Sequence, residues 1–195
     1  MTPLLFVRHG ETDWNVQGLI QGSIDTDLNP KGHEQARSVA QLLAARPDRL
    51  AGFDIIVSPQ HRAMQTAGYI IGALGRNGHA VDVRVRELGF GAWEGKPFWE
   101  LKASPIYPAD PEGRFFWRPE GGESYEDGIA RVKHFHAELE RPTLIVAHGA
   151  VGRCLMGFVA GLGPREIVNL PTPQGCYCDL SEGRIAWFDA NGPRA

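Results

Sequence analysis

"LLFVRHGETDWN", residues 4–15, opens on four apolar residues and turns polar at Arg8 and His9. A short apolar run containing Phe and Val and closed by Gly10 reads as a buried strand, and charge is out of place at the end of such a run. Runs of the same kind recur at 53–57, 81–85 and 143–147, mostly separated by stretches with helical spacing. That alternation predicts an α/β fold with a largely parallel sheet.

The helical stretches carry their own start and stop signals. Ala36, Val39, Ala40 and Leu43 repeat at helical intervals over 31–45, and Pro47 closes the segment. Ser58 followed by Pro59 predicts a serine N-cap with proline in the first turn of a second helix. A third helix is expected over 125–140, with Ile129, Val132, Phe135 and Leu139 on one face and "SYED" as a capping box carrying Asp in place of Glu. A fourth starts near Val151 and ends in the glycines of "GFVAGLG". The closing segments, 175–180 and 184–188 around "SEG", read as a hairpin. Its outer edge is a place where two copies of the chain can pair.

At 195 residues and 43% hydrophobic content, the chain can bury one sizeable core and is expected to form a single domain over 1–195. The net charge of -3 gives no general attraction to nucleic acid or acidic lipid, so any anion site must be a local basic cluster. Cys154, Cys176 and Cys178 are too few and of the wrong spacing for a disulfide framework or a CxxC site. Cys176 and Cys178 should share one strand face as packing residues. No run reaches membrane-spanning length and the N-terminus lacks a basic leader region, so a cytoplasmic protein is expected.

In open α/β sheets ligands bind beyond the carboxyl ends of the strands. Four such ends carry polar residues: Arg8-His9-Gly10, then "SPQHR" with Arg62, then Glu87 in "RELGFGAWEG", and His148-Gly149 after "TLIVA". Two arginines, two histidines and a carboxylic acid from separate strand ends make an anion site with an acid beside it. Arginine's planar fork matches phosphate oxygens, and Arg62 falls in the first turn of its helix, where free N–H groups also favour an anion. A neutral histidine nitrogen aimed at phosphorus is a competent nucleophile. "GFGAWEGK" lacks P-loop spacing, and no GxSxG, HExxH or cysteine phosphatase pattern occurs. His134 and His136 are two apart on a helix and make poor joint metal ligands. His33, His61 and His79 have no supporting neighbours and are expected at the surface.

Taken in order, "RHGETDWN", "QGSIDTDLNPKGHEQA", "SPQHRAMQT", "ELGFGAWEG", "GGES" and "VAHG" resemble the histidine phosphatase superfamily across nearly the whole chain. The resemblance implies a three-layer sandwich of the phosphoglycerate mutase type. It implies that His9 is the nucleophile, that Arg8, Arg62 and His148 hold the phosphoryl oxygens, and that Asn15 and the N–H of Gly149 are further donors. Glu87 matches the family's proton donor, although Glu94 lies in the same loop, and Gln21 matches a substrate contact. Two arginines, with His148 if it is protonated, then supply the charge stabilisation, with no metal or cofactor.

Mutases of the superfamily are typically longer and carry an adjacent arginine pair in an insertion after the acid. Here the segment after the acid has Lys96, Lys102, Arg114 and Arg118 and no such pair. A phosphatase of a small phosphorylated metabolite is therefore the favoured reading, ahead of a mutase and of a module that only binds phosphorylated ligands. The irregular segment 89–122 is long enough to be a lid or substrate-binding loop. Its Trp93, Trp99, Phe115, Phe116 and Trp117 are either a pocket wall or a satellite core.

Overall fold

The computed structural model describes residues 2–194. The chain runs β1 (Leu4–Arg8), α1 (Asp13–Gln17), α2 (Pro30–Ala44), α3 (Pro47–Leu50), β2 (Asp54–Val57), α4 (His61–Ala73) and β3 (Ala80–Val81). It continues through α5 (Phe98–Ala103), α6 (Pro111–Phe116), α7 (Tyr125–Ala137), β4 (Thr143–Ala147), α8 (Gly149–Ala160) and α9 (Pro164–Ile167). It closes with β5 (Tyr177–Asp179), β6 (Ala186–Asp189) and β7 (Gly192–Pro193).

The strands form one sheet in the order β3-β2-β4-β1-β5-β6-β7. β1, β2, β3 and β4 are parallel, and β5 turns antiparallel against β1. Period-two alternation divides the core. Leu4, Phe6, Ile145 and Ala147 face the layer that holds Val132 and Phe135 of α7 and Leu155 of α8. Leu5, Val7, Leu144 and Val146 face Val39 and Leu43 of α2 and Ala67 and Ile70 of α4. This is the expected three-layer sandwich, with antiparallel strands added at one edge.

Several expectations need correction. The third strand ends at Val81, because the Asp82 carboxylate accepts from the backbone N–H and the guanidinium of Arg84 and winds Val83–Val85 into a 3-10 turn. Ser58 does not cap α4: the helix begins at His61, whose N–H donates to Asp25 (2.6 Å), and the Ser58 hydroxyl is used elsewhere. α7 stops at Ala137, and α8 starts at Gly149, two residues earlier than expected. The Ser124–Asp127 capping box is present. The hairpin forms, but β7 pairs with Phe188 and Asp189 of β6 and covers part of its outer edge.

The three cysteines are free and buried, and Cys154, Cys176 and Cys178 share one core cluster. His61 and His79 are exposed, whereas His33 is partly buried beside the Tyr69 hydroxyl (3.2 Å) and His136 packs edge-on against Phe158.

The end of β1 is fixed by a backbone contact that only glycine permits. A Cβ on Gly10 would lie 2.3 Å from the Gly32 carbonyl oxygen, and one on Gly32 would lie 2.0 Å from the Glu11 carbonyl oxygen. Asn29 accepts from the Gly32 N–H and donates to Glu11, so α2 is tied to the loop after β1 at its first turn. Gly32→Ala is expected to cost about 1–3 kcal/mol by overpacking, lowering the melting temperature by about 2–4 °C per kcal/mol. Gly68→Ala, on an exposed part of α4 with nothing near the new Cβ, should be neutral or stabilising. Thermal melts of the two variants check the contrast.

Candidate active site

The carboxyl ends of β1 and β4 and the loop after β2 open into a cavity of about 270 Å³. Arg8, His9, Asn15, Gln21, Arg62, Glu87 and Gly149 line it. His148 lies against its floor, with its ring centroid 5.1 Å from that of His9. All eight residues singled out in the sequence therefore meet at one place.

His9 is buried, and its Nδ1 is 2.7 Å from the Gly10 carbonyl oxygen. A carbonyl only accepts, so Nδ1 carries the ring proton and Nε2 is left with a free lone pair. Burial, then the charges of Arg8 and Arg62, hold the His9 pKa well below 6.5. The ring is neutral, as a nucleophile requires. His148 is held low by burial first and then by Arg62, His9 and Arg8. His148 is thus neutral near neutral pH, and the condition that it be protonated is not met. Its Nε2 is 2.6 Å from Ser58 Oγ, which also accepts from the Gln60 N–H. A serine hydroxyl that donates to Nε2 places the His148 proton on Nδ1, an atom with no partner among the described residues.

The arginines are anchored by carbonyl groups. Arg8 Nη1 donates to Thr172 O (2.7 Å). Arg62, 1% exposed, donates to Ile24 O and Gly22 O (2.8 and 3.0 Å), and its nearest carboxylate, Asp25, is 4.0 Å away. Burial, with Arg153 and Arg62 adding to it and Glu87 opposing, brings the Arg8 pKa down to about 10. The Nε atoms of both arginines are buried without a partner among the described residues. Gly149 is the first residue of α8, and a Cβ there would lie 3.6 Å from Arg8 Nε.

Glu87 accepts from the N–H groups of Leu88, Ala150 and Val151 (2.9–3.1 Å). Its main chain is held by Gln60 and by Arg131, which donates to the carbonyls of Arg84, Arg86 and Glu87. Glu94 does not line the cavity, since its Oε1 accepts from the Ser23 and Phe90 N–H groups and fastens one loop to another. Asn15 takes the Thr12 and Gln174 donors on Oδ1, leaving its Nδ2 hydrogens free, and Gln21 accepts from Thr26 on Oε1 in the same way.

Sequence reasoning missed Ser58, Thr172, Gln174 and Arg153. Gln174 bonds both His9 O and Asn15 Oδ1. A signal for the loop 170–175 was available: β5 is antiparallel to β1, so the residues before it must lie at the carboxyl end of β1. Of the five aromatics left open, only Trp117 lines the cavity, joined by Phe90, Phe98, Tyr107 and Tyr125. Phe115 is buried beneath, against the Tyr125 ring, while Trp99 and Phe116 are exposed. Burial pushes the Tyr125 phenol up to about 12, so it keeps its proton. No group of three or more metal-ligating side chains occurs among the described residues.

This set of groups can bind a tetrahedral anion over a neutral histidine, with a carboxyl group poised for proton transfer. The chain belongs to the histidine phosphatase superfamily (branch 1), whose family model matches residues 4–187. It is 36% identical to a glucosyl-3-phosphoglycerate phosphatase of Mycolicibacterium vanbaalenii, over 97% of this chain and 84% of that one. It is 34% identical to a putative phosphoserine phosphatase 2 of Hydrogenobacter thermophilus, over 87% and 84%. The solved structure of a mycobacterial glucosyl-3-phosphoglycerate phosphatase with VO3 superposes at a TM-score of 0.81, with 30% identity and 96% coverage of both chains.

With both histidines kept neutral, the folded chain binds fewer protons than the unfolded chain once the pH falls below 6.5. Stability is thus complete above that pH and declines below it, by at most about 2.7 kcal/mol per pH unit for the pair. Denaturant titrations between pH 7.5 and 5 should show this decline, with a shallower one in His9→Asn. Equal slopes in the two proteins would contradict it.

Proposed function

We propose that this protein is a phosphomonoesterase that hydrolyses a small phosphorylated metabolite through a phosphohistidine on His9, with no metal. The observation that carries the reading is the meeting of unpartnered donors, Arg8 Nε, Arg62 Nε and His148 Nδ1, around a neutral His9 whose Nε2 is free. Buried donors without partners are costly, and phosphoryl oxygens satisfy them. The relatives named phosphatases support the same activity.

In the first step His9 Nε2 attacks phosphorus while the ester P–O bond breaks. The leaving oxygen takes a proton from Glu87, so it departs as an alcohol. Arg8, Arg62, His148, Asn15 and the N–H of Gly149, the first of α8, hold the equatorial oxygens as charge builds on them. In the second step Glu87 takes a proton from water as that water attacks the phosphohistidine. The P–N bond breaks, phosphate leaves, and His9 and protonated Glu87 are restored. Gln21 contacts the substrate beside the phosphate. Segment 89–122, with Phe90, Phe98, Tyr107, Arg114 and Trp117 on the cavity, is the cover of a single domain spanning 1–195.

The absence of an adjacent arginine pair from this cover favours hydrolysis over a mutase reaction. His9→Ala should abolish turnover of p-nitrophenyl phosphate and the acid-labile, base-stable phosphate label on the protein. Glu87→Gln should lose about 10²–10⁴-fold on an alkyl phosphate and less on p-nitrophenyl phosphate, whose leaving group needs little proton assistance. Full activity of His9→Ala would sink the reading. Interconversion of 3- and 2-phosphoglycerate, stimulated by the 2,3-bisphosphate and faster than hydrolysis, would replace it with the mutase.

A further inference from the structure

Gln60 lies where three parts of the cavity meet. It is the N-cap residue of α4, two positions before Arg62, and it is buried. Its side chain makes no bond to the first turn of α4. The amide instead joins two loops: Nε2 donates to Gly22 O and Oε1 accepts from the Glu87 N–H, both at 2.8 Å. A carbonyl oxygen only accepts and a backbone N–H only donates, so the two partners fix which end of the amide is which.

Each partner of Gln60 belongs to a different part of the reaction. Gly22 O also accepts from Arg62 Nη2 (3.0 Å), so one carbonyl ties Gln60 to the phosphate clamp. Glu87 carries the carboxyl group that exchanges the proton, and its backbone N–H is the atom that Gln60 holds. The Gln60 main chain makes a third link, donating to Ser58 Oγ (3.3 Å), the hydroxyl that lies 2.6 Å from His148 Nε2. Gln60 does not itself line the cavity. Whatever it does for the reaction passes through these neighbours.

We propose that Gln60 is a positioning residue: the strut that sets the distance between the acid and the bound phosphate, and so places Glu87 for proton transfer to the leaving oxygen. This role rests on the phosphomonoesterase reading. The leaving oxygen is held with the phosphate on Arg8 and Arg62, whereas the proton is held by Glu87 on a separate segment of chain. Proton transfer needs the two within hydrogen-bond reach of each other, and a misplacement of about 1 Å costs about 10²-fold in rate. Both ends of the amide are required, because losing either bond frees one segment from the other.

Leaving groups separate this role from a structural one. An alkoxide needs a proton in order to leave, whereas p-nitrophenolate needs little help. A misplaced acid therefore lowers kcat/KM for benzyl phosphate more than for p-nitrophenyl phosphate, an ester of similar size, while a folding defect lowers both alike. The ratio of the two is also independent of how much of a variant is folded. Gln60→Met, which keeps the length of the side chain and removes both bonds, should lower that ratio about 10-fold. Gln60→Glu keeps an oxygen for the Glu87 N–H and should recover part of it. In a Glu87→Gln background no acid remains to be placed, so adding Gln60→Met should leave the ratio unchanged. Gln65→Met, which removes another α4 amide, bonded to the Leu28 N–H and Asp27, should keep the ratio of the unmodified protein. A ratio unmoved by Gln60→Met, or lowered equally in the Glu87→Gln background or by Gln65→Met, would overturn the proposal and leave the phosphatase reading intact. An unmodified protein that hydrolyses p-nitrophenyl phosphate alone has no working acid to place, which would also overturn it. Failure to hydrolyse either ester would strike the underlying reading instead.

Discussion

Positive charge sunk at the ends of parallel strands is the condition on which the rest of this structure depends. Arg8 and Arg62 are carried below the protein surface by β1 and α4, and both are held by main-chain carbonyls, with no carboxylate in close contact. Carbonyl oxygens satisfy the guanidinium hydrogens without cancelling their charge. The positive field therefore survives into the cavity, where it adds to burial in keeping both neighbouring histidines neutral. Loop 20–25 and loop 170–175 deliver those carbonyls to the two arginines.

That dependence explains what was legible in the sequence. β1, β2 and β4 were readable because each is a run of apolar residues that must face a helix layer on both sides of the sheet. His9, His148, Arg8, Arg62 and Glu87 were readable because polar residues directly after such runs fall on the same rim. β3 was misjudged because Asp82 captures the amide of Arg84, a local side-chain bond that periodicity does not register. Ser58 was assigned to a helix cap because its neighbours fit one, whereas a histidine 90 positions away claims its hydroxyl. The charge on His148 was equally invisible, since it depends on burial and on two guanidinium groups brought together only by folding.

The cover mixes two roles that composition alone cannot separate. Trp117 and Tyr107 pack edge to face at 5.1 Å and both reach the cavity, while Phe115 lies under them as core. Gly91, with positive φ and its Cα packed against the Glu120 carbonyl, ties the start of the cover to its end. A segment pinned at both ends can vary its interior residues without disturbing the rim below.

The burial of the three cysteines has a consequence for chemistry. Burial raises the pKa of every thiol, that of Cys178 to about 12, so none of them is a thiolate near neutral pH. The proposed nucleophile is a nitrogen, which peroxide does not convert to a sulfenic acid. A phosphatase built this way lacks the thiolate through which oxidants silence cysteine-based phosphatases.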